Sequence, residues 1–278
     1  MAEDVPKPAR RGWRKAAVAF VVFVLISLGV GPRVVDYFFD DALDSIADQL
    51  GSVEIETGRL AAGSDPLVGQ SWAFAEPAAI GPAPVQGTAV TTAVRDRGVP
   101  VVGTTTQFIV RSNRANGLII TDMRARVIER GKPFGGTLVL PAPTGGPTEE
   151  PIVMARFTVG GADPRAYDGR EPTRLLFADA KLRLDRDQVM ILQVTGVADG
   201  CYCEWVVDIE VAVGTDVRTI TVPDVDSPLR LTAAVPRYHS VYLRSSGTNG
   251  SEWQVTAVDP VSACRGDCVA NPPPWSSP

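Results

Sequence analysis

The four cysteines are the residues of this chain whose types and spacing point most clearly to chemistry. They form two close pairs, Cys201 with Cys203 and Cys264 with Cys268. An even number of cysteines in an oxidising compartment favours disulfides, and four cysteines allow three pairings. On a regular strand, side chains two residues apart are separated by roughly 6.5 to 7 Å, whereas a disulfide needs Cβ atoms about 3.5 to 4.5 Å apart. We therefore expect the first pair to bond to the second, unless a distorted strand permits a Cys201–Cys203 bond.

A four-cysteine zinc site is the alternative use of these thiols, because metal sites often combine closely spaced thiolates. The usual two-residue spacer is absent from both pairs, so disulfides are favoured. The second pair also encloses Arg265-Gly266-Asp267, a triplet that resembles integrin-binding peptides when a disulfide closes the loop. The same triplet is typical of a tight turn, which is the interpretation we favour.

Catalytic and cofactor chemistry has little support in the sequence. His239 is the single histidine, and no nucleophile-elbow motif accompanies it, so we interpret it as a histidine at a strand start. The run Asp224-Val225-Asp226-Ser227 lacks the spacing of a known calcium loop, and we interpret it as a turn. The chain has no glycine-rich phosphate loop and no dinucleotide fingerprint. We predict no catalytic residue, no metal site and no cofactor.

The overall charge argues against nucleic acid as a partner. The chain has 27 Lys and Arg against 32 Asp and Glu, a formal net charge of −5. It has no basic patch of the kind that nucleic-acid-binding proteins use. We therefore predict no nucleic-acid partner.

An apolar segment near the N-terminus predicts on which side of the membrane the rest of the chain lies. Residues 16–35, AAVAFVVFVLISLGVGPRVV, carry Arg33 as their only charge and as a helix would span about 30 Å, the thickness of the bilayer's hydrocarbon layer. Lys and Arg precede this segment and aspartates follow it, so the N-terminus is expected in the cytoplasm. We predict a cytoplasmic tail (1–15), a single-pass helix (16–35) in the cell membrane and an exported remainder. A cleaved signal peptide is the alternative, but the best cleavage candidate, residues 29–31, is followed at once by Pro32.

A second, shorter helix is predicted directly after the membrane span. Apolar residues recur at helical spacing in residues 36–50, aspartates occupy the opposite face, and Gly51 offers a C-terminal stop. The sequence leaves two alternatives for this juxtamembrane helix: it forms a homodimer contact outside the cell, or it packs on the domain that follows.

The rest of the chain has the pattern of a β domain. We predict a linker or lead-in strand (51–84), an exported β domain (85–270) and a disordered tail (271–278). Apolar and charged residues alternate in 118–130, where the odd positions are mainly apolar, and in 201–213, where Trp205 is expected to point inward. Weaker strand candidates are 104–112, 136–140, 152–159, 188–197, 217–222, 240–244 and 252–258. Seven to ten such strands predict an all-β fold, a single antiparallel β-sandwich.

Two stretches of this domain resemble a known group of proteins. Residues 201–205, CYCEW, and residues 124–133, RARVIERGKP, resemble uncharacterised actinobacterial single-pass membrane proteins whose exported β domains carry a Cys-x-Cys-x-Trp strand. The resemblance covers residues 85–213. It implies a fold and a location, and it implies no activity.

Three functions are consistent with these features. The first is a non-enzymatic binding or interaction module of the cell envelope, whose partner is an envelope protein or glycan and whose anchor is the lipid bilayer. The second is an accessory subunit of a membrane complex that uses residues 36–50 as its contact surface. The third is an envelope hydrolase, for which the sequence singles out no pair of carboxylates.

Overall fold

The structure is a computed structural model that describes residues 53–58, 69–77, 79–112, 117–141, 153–213, 216–245 and 253–273. The predicted cytoplasmic tail, membrane span and juxtamembrane helix therefore lie outside the described residues. Within the described part, no helix is long and apolar enough to cross a bilayer.

Strands dominate the described residues, which confirms the all-β prediction. The two helices described are α1 (Gly87–Arg97) and α2 (Pro260–Ala263). In chain order the strands are β1 (Val53–Gly58), β2 (Trp72–Phe74), β3 (Val85–Gln86), β4 (Val99–Pro100), β5 (Gly103–Ser112), β6 (Leu118–Gly131), β7 (Thr137–Leu140), β8 (Val153–Val159), β9 (Tyr167–Asp168), β10 (Leu182–Leu184), β11 (Val189–Ala198), β12 (Tyr202–Val213), β13 (Asp216–Val222), β14 (Leu229–Thr232), β15 (Ser240–Ser245) and β16 (Gln254–Val258).

The strands form three sheets. Sheet I has the order β1-β5-β11-β8-β9, sheet II has the order β10-β6-β12-β13 with β14 also paired to β12, and sheet III has the order β3-β16-β15-β7-β2-β4. Most pairs are antiparallel, but β11 pairs with β8 and β15 with β7 in parallel. A third sheet and parallel pairs go beyond the single antiparallel sandwich that the alternating pattern predicts.

The segment before residue 85 also belongs to the sheets. Strand β1 pairs with β5 in sheet I, and β2 pairs with β7 in sheet III. Both strands lie in residues 51–84, the stretch that the sequence left open between a linker and a lead-in strand. Helix α1 is absent from the predicted elements, since its sequence is rich in Thr and Val, which favour strands over helices.

Sheets I and II contribute to one buried cluster, and Trp205 lies in it. Its side chain is fully buried on the inner face of β12, as the alternation predicted. Phe157 of β8 packs against the indole with ring centroids 6.0 Å apart. Gly196 of β11 makes room for the indole, because a Cβ atom there would lie 2.4 Å from Trp205 Cζ2.

Sheet III has its own buried side chains on both faces. On one face, Val90 and Val94 of α1 pack with Phe74, Val139 and Val255. The other face packs against the C-terminal segment, and the cluster there includes Ala73, Leu138, Val241, Cys264 and Cys268. This sheet thus holds both helices of the described part of the domain.

The ladder between β6 and β12 contains two irregularities. Glu204 and Trp205 pair with Glu129 and Val127, which leaves Ile128 as an extra residue on β6. Thr121 is extra in the same way, between Asp122 and Ile120. Because each β-bulge adds one residue to β6, the positions that face the core change between odd and even residue numbers on its two sides.

Because of the bulge at Thr121, the prediction of which β6 side chains face the core is wrong for the start of the strand. The alternation places Ile119 and Thr121 on the apolar face with Met123. In the structure Leu118 and Ile120 are buried with Met123 instead, because the extra residue at Thr121 shifts the inward positions from odd to even numbers.

The cysteines form disulfides, as predicted, but the expected pairing is wrong. Cys201 bonds to Cys203 and Cys264 bonds to Cys268, so the thiols are not zinc ligands. Cys201 precedes β12 in a turn, and its Cα lies 5.6 Å from that of Cys203, closer than two positions on a regular strand. The second pair closes a turn after α2, with its Cα atoms 4.7 Å apart.

We predict that Gly196→Ala lowers the free energy of unfolding by about 1–3 kcal/mol, because the new methyl group overpacks the core against Trp205. Chemical denaturation of the purified full chain measures this change. Gly135→Ala is the matched control, because the nearest atom to its new Cβ is 3.6 Å away, an ordinary contact. Equal stability of Gly196→Ala and the parent would contradict this account of the core.

We predict that non-reducing tryptic mapping finds both disulfides as local links. The peptide 187–218 contains Cys201 and Cys203, and it should appear alone and lighter by two hydrogens. The peptides 245–265 and 266–278 should appear joined to each other. A linked species that joins 187–218 to either C-terminal peptide would overturn the observed pairing.

Candidate functional site

The candidate site is a recess at the outer edge of β6. Two segments cover this edge, and they leave a gap between them. At one end, Ala125 N donates to Pro164 O (2.8 Å) and Ala166 N donates to Met123 O (3.1 Å). At the other end, β10 pairs with residues 118–120. The gap lies beside Thr121 and Asp122.

The β-bulge at Thr121 supplies the polar groups of this gap. The Thr121 hydroxyl donates to the carboxylate of Glu210 on β12. Its backbone carbonyl accepts a hydrogen bond from Lys181 Nζ (2.7 Å). A bulge disrupts the ladder locally, and here the freed carbonyl is taken by a side chain instead of a strand.

The recess has a volume of about 340 Å³ and mixed walls. Its cationic side chains are Arg124, Arg165 and Lys181, and its carboxylates are Asp122 and Glu210. Apolar lining comes from Ala166, Leu175, Phe177 and Ala178. Lys181 also lies over the Phe177 ring, 5.9 Å from its centroid.

Ion pairs orient the two arginines. Arg124 Nε lies 2.8 Å from Asp122 Oδ2, and this hydrogen bond raises the pKa of Arg124. Asp163 accepts hydrogen bonds from the Arg165 guanidinium and from the Tyr167 hydroxyl (2.8 Å), which hold the pKa of its carboxyl well below the ordinary value. All of these groups are solvent-accessible, so the pairs position charge and contribute little to stability.

The arrangement is suited to holding a polar ligand by hydrogen bonds. Guanidinium and ammonium groups donate, carboxylates accept, and Leu175 and Phe177 offer apolar contact; binding pockets commonly combine such groups. Within the described residues no cluster of three or more His, Cys, Asp or Glu side chains could hold a metal ion.

The cysteines predicted from the sequence lie outside the recess. Cys201 and Cys203 are fully buried at the start of β12, and Cys264 and Cys268 are buried against sheet III. Each disulfide closes a short local loop. Neither pair contributes a side chain to the recess.

The Arg265-Gly266-Asp267 triplet forms the tight turn that we favoured. Arg265 and Gly266 have positive φ angles, 52° and 95°. The Asp267 carboxylate accepts hydrogen bonds from Val269 N (2.7 Å) and Ala270 N (3.2 Å). The aspartate is therefore engaged in shaping its own turn.

His239 and residues 224–227 lie where a strand begins and in a turn, respectively. His239 is exposed directly before β15, and its backbone N–H donates to Gly135 O (3.0 Å). In residues 224–227, Ser227 N donates to Asp224 O (2.9 Å), which closes a turn. The histidine therefore lies at a strand start and residues 224–227 form a turn, as the sequence predicts.

The residues of the recess could not be selected from the sequence. Arg124 and Glu210 are visible there as charged strand positions, but Arg165 and Lys181 lie outside every strand predicted from the sequence. The bulge that unites them has no sequence signal. Comparison with known proteins adds no candidate, since no protein-family model, curated protein or solved structure matches the chain.

Proposed function

We propose that this protein is a membrane-anchored, extracytoplasmic binding module of the cell envelope, and that the recess beside Thr121 holds its ligand. The domain is then a sandwich-like β scaffold carried by the helix of residues 16–35. The observation that carries the proposal is the recess itself, in which donors, acceptors and an apolar wall converge at a strand irregularity.

Two features support the exported location. The basic residues of 1–15 and the aspartates of 36–50 flank an apolar stretch in the order that keeps the N-terminus in the cytoplasm. Both cysteine pairs are oxidised, and disulfides persist outside the reducing cytosol. The two observations are independent, because one concerns the first fifty residues and the other the folded domain.

Binding is better supported than catalysis at this site. Asp122 and Glu210 face each other across β6 and β12, as a general acid and base would. Their carboxylates are already engaged, Asp122 with Arg124 and Glu210 with the hydroxyl of Thr121. Roles as an accessory subunit or a homodimer through residues 36–50 stay predictions from the sequence.

We predict that a periplasmic-type phosphatase reporter fused after Pro278 is active in cells, because the C-terminus is expected on the outer side of the membrane. Deletion of residues 16–35 should abolish that activity, since the span drives export. A cytosol-specific reporter at the same position serves as the control. Activity of the cytosolic reporter alone would refute the exported location.

We predict that the double change Arg124→Gln with Lys181→Gln weakens binding of the full chain, held in lipid nanodiscs, to delipidated cell envelopes by at least about tenfold, because hydrogen bonds from charged donors contribute roughly 1.5–3 kcal/mol each. Co-sedimentation of the loaded nanodiscs with these envelopes at graded protein concentrations measures the affinity without a contribution from the membrane anchor. The matched control is Arg183→Gln on β10, an exposed arginine that pairs with Asp185 outside the recess lining. Equal loss in the control, or none in the double variant, would contradict the assignment.

A further inference from the structure

A stacked pair of aromatic rings lies at the opposite end of β12 from the recess. The rings of Phe134 and Tyr202 are 4.6 Å apart and inclined by 12°. Both residues are partly exposed, and Phe134 also packs against the buried cluster of sheet III. Such amphipathic surfaces are typical of ligand sites.

Charged side chains lie next to this stack on three neighbouring strands. Glu204 of β12 is the direct partner of Glu129 on β6 and of Arg230 on β14. The Tyr202 hydroxyl donates to Glu204 Oε1. Glu129, Glu204 and Arg230 are all close enough to act electrostatically on the Tyr202 hydroxyl.

The two glutamates are direct partners across β6 and β12, and Arg230 lies on the other side of Glu204. Like charges directly opposite each other on paired strands are destabilising. Among the described residues no cation forms a salt bridge with Glu129. The first β-bulge, at Ile128, lies in the same stretch of β6, and bulges are enriched beside functional sites. The Glu129 carboxylate is thus an acceptor for the donor groups of a ligand.

We propose that Phe134, Tyr202, Glu129, Glu204 and Arg230 form a binding site for an uncharged sugar unit of an envelope glycan. A sugar ring presents an apolar C–H face, which packs on an aromatic ring, and a rim of hydroxyl groups, which donate to carboxylates. The charged groups that act on the Tyr202 hydroxyl are two glutamates and one arginine, and this balance disfavours phosphate and carboxylate ligands beside it. The chemistry therefore selects neutral glycans over acidic polymers.

This site rests on the proposed function and makes it more specific. Glu204 and Glu210 lie on the same face of β12, six residues apart, which corresponds to roughly 20 Å along a strand. An extended glycan strand could therefore reach from the stack towards the recess. The two sites differ in charge, so they are separable by experiment.

The test uses the full chain in lipid nanodiscs, presented to an array of uncharged and acidic glycans, with calorimetry on the uncharged oligosaccharide that binds best. We expect binding to neutral glycans with an affinity that changes little between low and high salt, because no ligand charge is screened. Glu129→Gln should weaken this binding about tenfold, the loss expected for a hydrogen bond to a charged acceptor. Tyr202→Phe keeps the ring and should weaken binding less.

Two controls and the binding of Glu129→Gln decide the proposal. The control Asp96→Asn, an exposed carboxylate on α1, should bind as the parent does, and the double change Arg124→Gln with Lys181→Gln should keep its affinity for a short neutral oligosaccharide. Absence of any neutral-glycan binding, or unchanged binding by Glu129→Gln with the parent's melting temperature, overturns this site. If envelope retention still depends on the recess in that case, the proposed function stands without it. If the variants of neither site weaken binding to envelopes, both the proposed function and this site are refuted.

Discussion

The antiparallel ladder between β6 and β12 is the constraint on which the rest of the domain depends. Side chains of a strand alternate between two faces, so one pairing fixes both the core and the outer surface. Its inward positions, Trp205 and Ile209 among them, fill the cluster shared with sheet I. Its outward positions, including Arg126 and Asp208, form a charged surface in which guanidinium and carboxylate pair at 2.6 Å.

The two bulges give this surface polar and apolar groups that a regular solvent-facing sheet does not present. A strand with an extra residue bends and leaves backbone groups outside the ladder. At Thr121 the result is a carbonyl held by Lys181 and a hydroxyl held by Glu210, at the point where the covering segments leave a gap. At Ile128 the result is a partly exposed apolar side chain beside two facing glutamates. Both candidate sites are therefore consequences of one irregular strand.

The disulfides act locally and do not connect distant parts of the chain. Each closes a loop of only a few residues, so the entropy that it removes from the unfolded chain is small compared with that of a long-range link. The C-terminal segment is held to sheet III by packing instead, with Cys264 and Cys268 buried beside Leu138 and Val241. Cys201 and Cys203 pack in the core with Trp205, which gives the sulfurs an apolar role.

Local pattern determined the fold class, the position of most long strands, the burial of Trp205 and the turns at Asp224 and Arg265, because each depends on residues near one another in the sequence. Membrane insertion and export also come from the sequence, and they remain predictions. Only the tertiary structure decided the cysteine pairing, the third sheet and helix α1, whose Val90 and Val94 are stabilised by packing that overrides their strand preference. The two candidate sites belong to the same class, because a bulge depends on how a partner strand is aligned, and no single strand encodes that alignment.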